Sequence, residues 1–134
     1  MNKTLMIIKP DAIARQDMGY ILDRVKRAGF IVRAAQIKHL TEQEAKRFYE
    51  VHAARPFYMD LVRFMTSGPC MPAHLERENA VLAFRELIGA TDPSKAAVGT
   101  IRKDVAESLE RNSVHGSDSD ENAAREIEFF FGKS

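Results

Sequence analysis

Cysteine is almost absent from this chain. Cys70 stands alone, so no internal disulfide can close and no cysteine-based zinc ribbon can form. Such a lone thiol reads as a small buried hydrophobe. No stretch approaches the roughly 20 apolar residues of a membrane span. The opening run "MNKTLMIIKPD" is stopped by Lys9-Pro10-Asp11, too early for a secretion signal, so a soluble, cytoplasmic protein is expected. A surplus of one charge sign is also missing: 20 basic and 19 acidic residues leave +1. That balance argues against a broad nucleic-acid or membrane surface, although it permits a local basic pocket. G-x-S-x-G, H-E-x-x-H and C-x-x-C do not occur, and the four histidines lack metal-ligand spacing. The terminal "GKS" is no phosphate loop, because the glycine required five residues before Gly132 falls on Ile127.

What is present suits one domain over residues 1–134, long enough to bury a core without staples. "TLMIIKP" reads as a buried strand stopped by proline. Ile21, Leu22, Val25 and Ala28 recur at helical spacing before Gly29. "FIVRAAQIKHL" predicts a second strand, over 30–39. Thr41 and Glu44 form a capping box for a helix carrying Ala45, Phe48 and Tyr49 inward. A helix starting at Pro56 carries Leu61, Val62 and Met65. "PCMPAHLE" predicts a third strand, although Pro72 would lose a ladder bond there unless a bulge or an early strand end intervenes. Val81, Phe84, Leu87 and Ile88 mark the next helix; Ile101, Val105 and Leu109 suggest a short one. Asp118 or Ser119 can cap a last helix striped by Ala123, Ala124, Ile127, Phe130 and Phe131. The order favours an α+β fold with a ferredoxin-like βαββαβ core: a small four-stranded antiparallel sheet, helices packed on one face.

Chemistry concentrates at "NSVHGSDS", residues 112–119. Gly116 permits close approach of a bulky group beside His115. The following helix N-terminus offers N–H groups to an anion. Glu126 lies two turns into that helix, within reach of the imidazole, where a carboxylate could orient the ring. Neutral imidazole is a competent nucleophile. On pattern alone, catalytic and structural readings of His115 both stay open.

These residues, with "IIKPDA", "RPFY", "FMTSGP", "ENAV", "GATDP", "GTIRKD" and "ENAAREIEFFF", resemble the nucleoside diphosphate kinase family in register from Thr4 to Gly132. The resemblance implies transfer of the terminal phosphate from a nucleoside triphosphate, mainly ATP, to nucleoside diphosphates. The route is ping-pong through a phosphohistidine, with broad base and sugar tolerance. It implies His115 as nucleophile, supported by Ser117 and Glu126, with Tyr49 near the phosphates. Lys9 contacts phosphates and sugar hydroxyls, and Arg85, Thr91 and Arg102 hold the phosphates. Phe57 stacks on the base, which any base tolerates; Asn112 binds the ribose. Mg2+ rides on the nucleotide phosphates, with no protein cage. A homo-oligomer, a dimer-based tetramer or hexamer, is implied, with no membrane and no specific nucleic acid as partner.

The sequence departs from the family pattern at Tyr58, Asp92, Arg77, Pro72 and His74, none a catalytic position. Two other readings compete: a nucleic-acid-binding ferredoxin-like module and a catalytically silent regulatory homologue. The first expects paired aromatics and a basic glycine-rich strand, which "PCMPAHLE" lacks. Intact Lys9, Arg85, Arg102, Asn112 and His115 argue against the second.

Overall fold

Every residue from Leu5 to Ile8 is apolar, and only a strand covered on both faces can bury such a run. The computed structural model describes residues 2–106 and 113–132. In it β1 (Asn2–Ile8) is a central strand. It pairs antiparallel with β3 (Met71–Arg77) on one side and with the short β4 (Val114–Gly116) on the other. β2 (Ile31–Ala35) pairs antiparallel with β3, which makes the sheet order β2-β3-β1-β4. Between β1 and β2 lie α1 (Pro10–Ala14) and α2 (Met18–Arg27); between β2 and β3, α3 (Glu42–Phe48) and α4 (Tyr58–Thr66). α5 (Ala80–Ile88) and α6 (Ile101–Val105) precede β4, and α7 (Asp120–Phe131) follows it. This is the expected α+β, ferredoxin-like arrangement.

One expectation needs correction: helices cover both faces of the sheet. Met6 and Ile8 pack with Ile21, Val25, Phe84, Ile88 and Ile101. Leu5 and Ile7, pointing the other way, pack with Ala45, Phe48, Val62, Met65 and Ile127. The period-2 alternation of a strand sends successive side chains to opposite faces, so an unbroken apolar run requires two cores.

Pro72 is accommodated inside β3, opposite Ile7. Lys38 and Cys70 exchange both backbone bonds, at 2.8 and 2.9 Å. Two residues on, Gln36 donates to the Pro72 carbonyl at 3.2 Å. The reciprocal bond is the one proline cannot make. The predicted second strand therefore ends at Ala35, with a register shift between Val32 and Ala34. Arg77 also finds a place: its guanidinium donates to the Ala28 carbonyl at the end of α2 and lies 5.2 Å from the Phe30 ring centre.

α1 was not foreseen; Pro10 at its first position needs no N–H partner there. The capping box holds, with Glu44 N–H donating to Thr41 Oγ1 and Thr41 N–H to Glu44 Oε1. α4 starts at Tyr58 rather than Pro56. Ser119 caps α7 by accepting from Asn122 N–H, and Ala124 of the expected stripe is exposed. Leu109 lies outside the described residues.

Candidate active site

His115 sits on β4, at the edge of the sheet, in register with Ile7 of the buried central strand. The close approach that Gly116 permits is made by the core. A Cβ there would lie 2.7 Å from Phe84 Cδ2 and 3.2 Å from Ile88 Cδ1. The glycine thus lets α5 press against β4 directly behind the histidine.

A chain of hydrogen bonds fixes the ring. Leu5 N–H donates to Ser117 Oγ at 3.1 Å, and Ser117 Oγ donates to Glu126 Oε1 at 2.8 Å. The same carboxylate oxygen lies 2.9 Å from His115 Nε2. Leu5, Ser117 and Glu126 are all buried, so the carboxylate is anchored from the core outward. Its other oxygen lies 3.7 Å from an Arg125 nitrogen. Phe48 meets the imidazole edge-on, ring centres 5.8 Å apart. Tyr49 is buried against Phe48, ring centres 4.8 Å apart, and among the described residues its hydroxyl has no hydrogen-bond partner. Burial, then the Cys70 and Glu126 charges, push that phenol far above its ordinary range.

The cations gather on the other side. Lys9 caps β1 and is buried; its N–H donates to the Ser113 carbonyl at 2.9 Å, which places it beside the start of β4. Burial, helped by the Arg102 charge and opposed by Asp11, pulls its ammonium down to about 8. Arg102 is buried as well and donates to the carbonyls of Gly89 (3.0 Å) and Val114 (2.7 Å). Among the described residues its Nε has no partner, and burial, then the Arg85 charge, pulls the guanidinium down to about 10. Arg85, Thr91 and Arg102 together line an open cavity of about 560 Å³, with Lys95 and Thr100. Asp118 feels both Arg85 and His115, although its bond from Asn122 is the main reason its carboxyl is held low.

The structure therefore joins His115, Ser117, Glu126 and Tyr49 in one cluster and Lys9, Arg85, Thr91 and Arg102 in an adjoining one. Phe57 is half-exposed at the start of α4, 5.6 Å from the His52 ring centre. Asn112 lies outside the described residues. Reading the sequence missed Phe48 as the ring against the imidazole, Asp118 as the carboxylate between His115 and Arg85, and Lys95 on the cavity wall. The only signal for Phe48 was its inward place on the capped helix. Buried Arg102 and exposed Arg85 and Lys95 open on one cavity, with buried Lys9 close to Arg102, a cationic arrangement that could hold a polyanion.

Comparison with known proteins agrees. A family model described as nucleoside diphosphate kinase matches residues 2–134. The nucleoside diphosphate kinase of Campylobacter fetus subsp. fetus is 57% identical over 133 residues, 99% of this chain and 97% of the relative. That of Chlorobium limicola is 56% identical over 131 residues, 98% and 94% of the two chains. Among solved structures, the Encephalitozoon cuniculi enzyme superposes with a TM-score of 0.96 at 35% identity, covering 99% of this chain and 90% of its own. The Aquifex aeolicus enzyme gives 0.95 at 43% identity, covering 97% and 94%. These similarities do not favour the nucleic-acid-binding reading.

Proposed function

The chain belongs to the nucleoside diphosphate kinase family, and from that premise we propose that His115 is the residue that carries the phosphate. The enzyme transfers the terminal phosphate of a nucleoside triphosphate to a nucleoside diphosphate by a ping-pong route through phosphohistidine. One observation supports the assignment above the others: the 2.9 Å contact of His115 Nε2 with Glu126 Oε1. With the ring proton held on Nε2 by a carboxylate, the lone pair is on Nδ1. Nδ1 attacks the γ-phosphorus, the bond to the bridging oxygen breaks, and the nucleoside diphosphate leaves with the electron pair. Glu126 then faces the positive charge that the phosphorylated ring acquires. In the second half-reaction a terminal oxygen of the acceptor diphosphate attacks the same phosphorus and Nδ1 regains its pair. No separate base is needed, because neither nucleophile has a proton to lose.

Within this proposal Ser117 and Glu126 orient the ring, and Tyr49 stands beside it. Lys9, Arg85, Thr91 and Arg102 hold the phosphates, where fixed cations neutralise charge on the transferring group. Phe57 offers a face for any base, so donors other than ATP are accepted, and Asn112 holds the ribose. Mg2+ arrives as part of the nucleotide complex. The cavity wall is cationic, which suits phosphates rather than a bare metal, and among the described residues no three acidic, His or Cys side chains converge on one point.

Residues 1–134 act as one domain in this reading, and the protein is cytoplasmic; among the described residues no helix could cross a membrane. A homo-oligomer built from dimers, tetramer or hexamer, is also proposed. Edge strand β2 leaves Ile31 and Val32 exposed, with Ile37 beyond it, a ready surface for another copy. The direct test is incubation with γ-labelled ATP. The protein should take up label that is acid-labile and base-stable, and His115→Ala should take up none while still binding nucleotide. Label retained by that variant would refute the assignment.

A further inference from the structure

The wall of the cationic cavity is lightly anchored. Between Ala90 and Val105 only Ala96, Ile101 and Arg102 are buried. On its inner side the wall is fastened near Gly89. Arg102 donates to the Gly89 carbonyl, and a Cβ on Gly89 would lie 2.6 Å from Thr100 Oγ1. On its outer side the fastening comes from α2, which does not line the cavity. Tyr20 Oη donates to Asp104 Oδ2 at 2.5 Å, and Arg24 donates to the same oxygen at 3.1 Å and to Tyr20 Oη at 2.8 Å. The other guanidinium nitrogen of Arg24 donates to the Gly99 carbonyl.

One arginine therefore spans Gly99 and Asp104, the two flanks of the helical turn that holds Arg102. A guanidinium can do this because its planar fork presents separate donors at fixed angles. Gly99 has φ +90, a left-handed conformation that turns the chain into the Thr100 cap of α6. A carbonyl held at that turn sets where α6 begins. Asp104 held at the far end sets the helix's rotation, and with it the direction of Arg102.

We propose that Tyr20 and Arg24 are positioning residues for nucleotide binding, acting through Gly99 and Asp104 on Arg102 and the Thr91 side of the cavity. The proposal rests on the reading of that cavity as the phosphate site. Neither residue touches the nucleotide; they keep the fixed cations where phosphates need them. The clasp is partly exposed, with side-chain accessibilities of 24% for Arg24 and 36% for Asp104. Its contribution is accordingly that of a modest surface pair, and each broken link should change binding by roughly 1.5- to fivefold.

The test uses the full chain with Tyr20→Phe, Arg24→Gln and the double variant, comparing KM for a nucleoside diphosphate, kcat and Tm. Tyr20→Phe deletes a single hydroxyl and preserves the fold. Each single variant should raise KM by roughly 1.5- to fivefold with kcat changed less. The double variant should resemble Arg24→Gln, since both residues act on one carboxylate oxygen. Arg24→Lys, which can reach only one of the two acceptors, should fall between. KM unchanged in Tyr20→Phe and Arg24→Gln would overturn the proposal, with or without a loss of Tm. So would full additivity in the double variant. Phosphohistidine labelling of the unmodified enzyme, run in parallel, separates the two ideas: its failure strikes the active-site reading, whereas normal labelling with unchanged KM values strikes only the clasp.

Discussion

Burial leaves the Lys9 ammonium at about 8, with Arg102 adding to the effect and Asp11 opposing it. The group is charged below that pH and loses its proton above it. If Lys9 binds phosphates, KM for nucleotide should rise as pH passes through about 8, which a KM–pH profile would show. The sign for stability is opposite. Between about 8 and the ordinary 10.5 the unfolded chain holds the proton that the folded chain has shed, so stability gains as pH rises through that window. Lys9→Gln should therefore leave Tm at pH 7 no lower, while kcat/KM falls on the order of 10²-fold. Glu126 plays a different part, through geometry at 2.9 Å from the imidazole. Glu126→Gln keeps the size but removes the charge that the proposed phosphohistidine would face. It should slow turnover by about 10- to 100-fold, the range for groups that orient a functional imidazole. Stopped-flow phosphoenzyme formation would measure it, and an unchanged rate would remove Glu126 from the mechanism.

Elements, not single side chains, bring these groups together. β4 is only three residues long, yet it holds His115 because β1 pairs with it and α5 packs behind it. Gly116 is the contact point. Gly116→Ala would push a methyl into Phe84 and Ile88, costing about 1–3 kcal/mol as overpacking and tilting β4 outward. Both Tm and kcat should drop, measured by thermal melting and steady-state kinetics; a variant with normal Tm and activity would show that α5 yields instead. The caps on α3 and α7 were legible in the sequence because capping depends on residues three apart. α1 was not, because a five-residue helix has too few turns to show a period. The early end of β2 was half-legible. Pro72 announced a missing bond, but only the register showed that Gln36 faces the gap.

At the scale of the whole molecule, the sheet leaves β2 as an apolar edge. Ile31, Val32 and Ile37 stay 40%, 45% and 57% exposed in the single chain. Such an edge is a template for pairing with another chain, which supports the proposed oligomer. Ile31→Lys with Val32→Lys should shift the particle toward a smaller species by light scattering, while the fold of each subunit survives. An unchanged mass would place the contact elsewhere.

Local order along the chain was enough for much of this protein. Three of the four strands, the capped helices and the α+β class follow from hydrophobic period, caps and breakers, which act over a few residues. The nucleotide chemistry was legible as well, because eight short motifs carry it in order. What needed tertiary structure was everything that depends on distance between remote segments. The Leu5–Ser117–Glu126–His115 chain joins residues over a hundred positions apart. The two-sided core follows from which neighbours cover β1. Without the family motifs, Arg102 looks like an ordinary solvated charge on a helix surface. Only folding buries Lys9 and Arg102 near one another, and the proposed phosphate site rests on that burial.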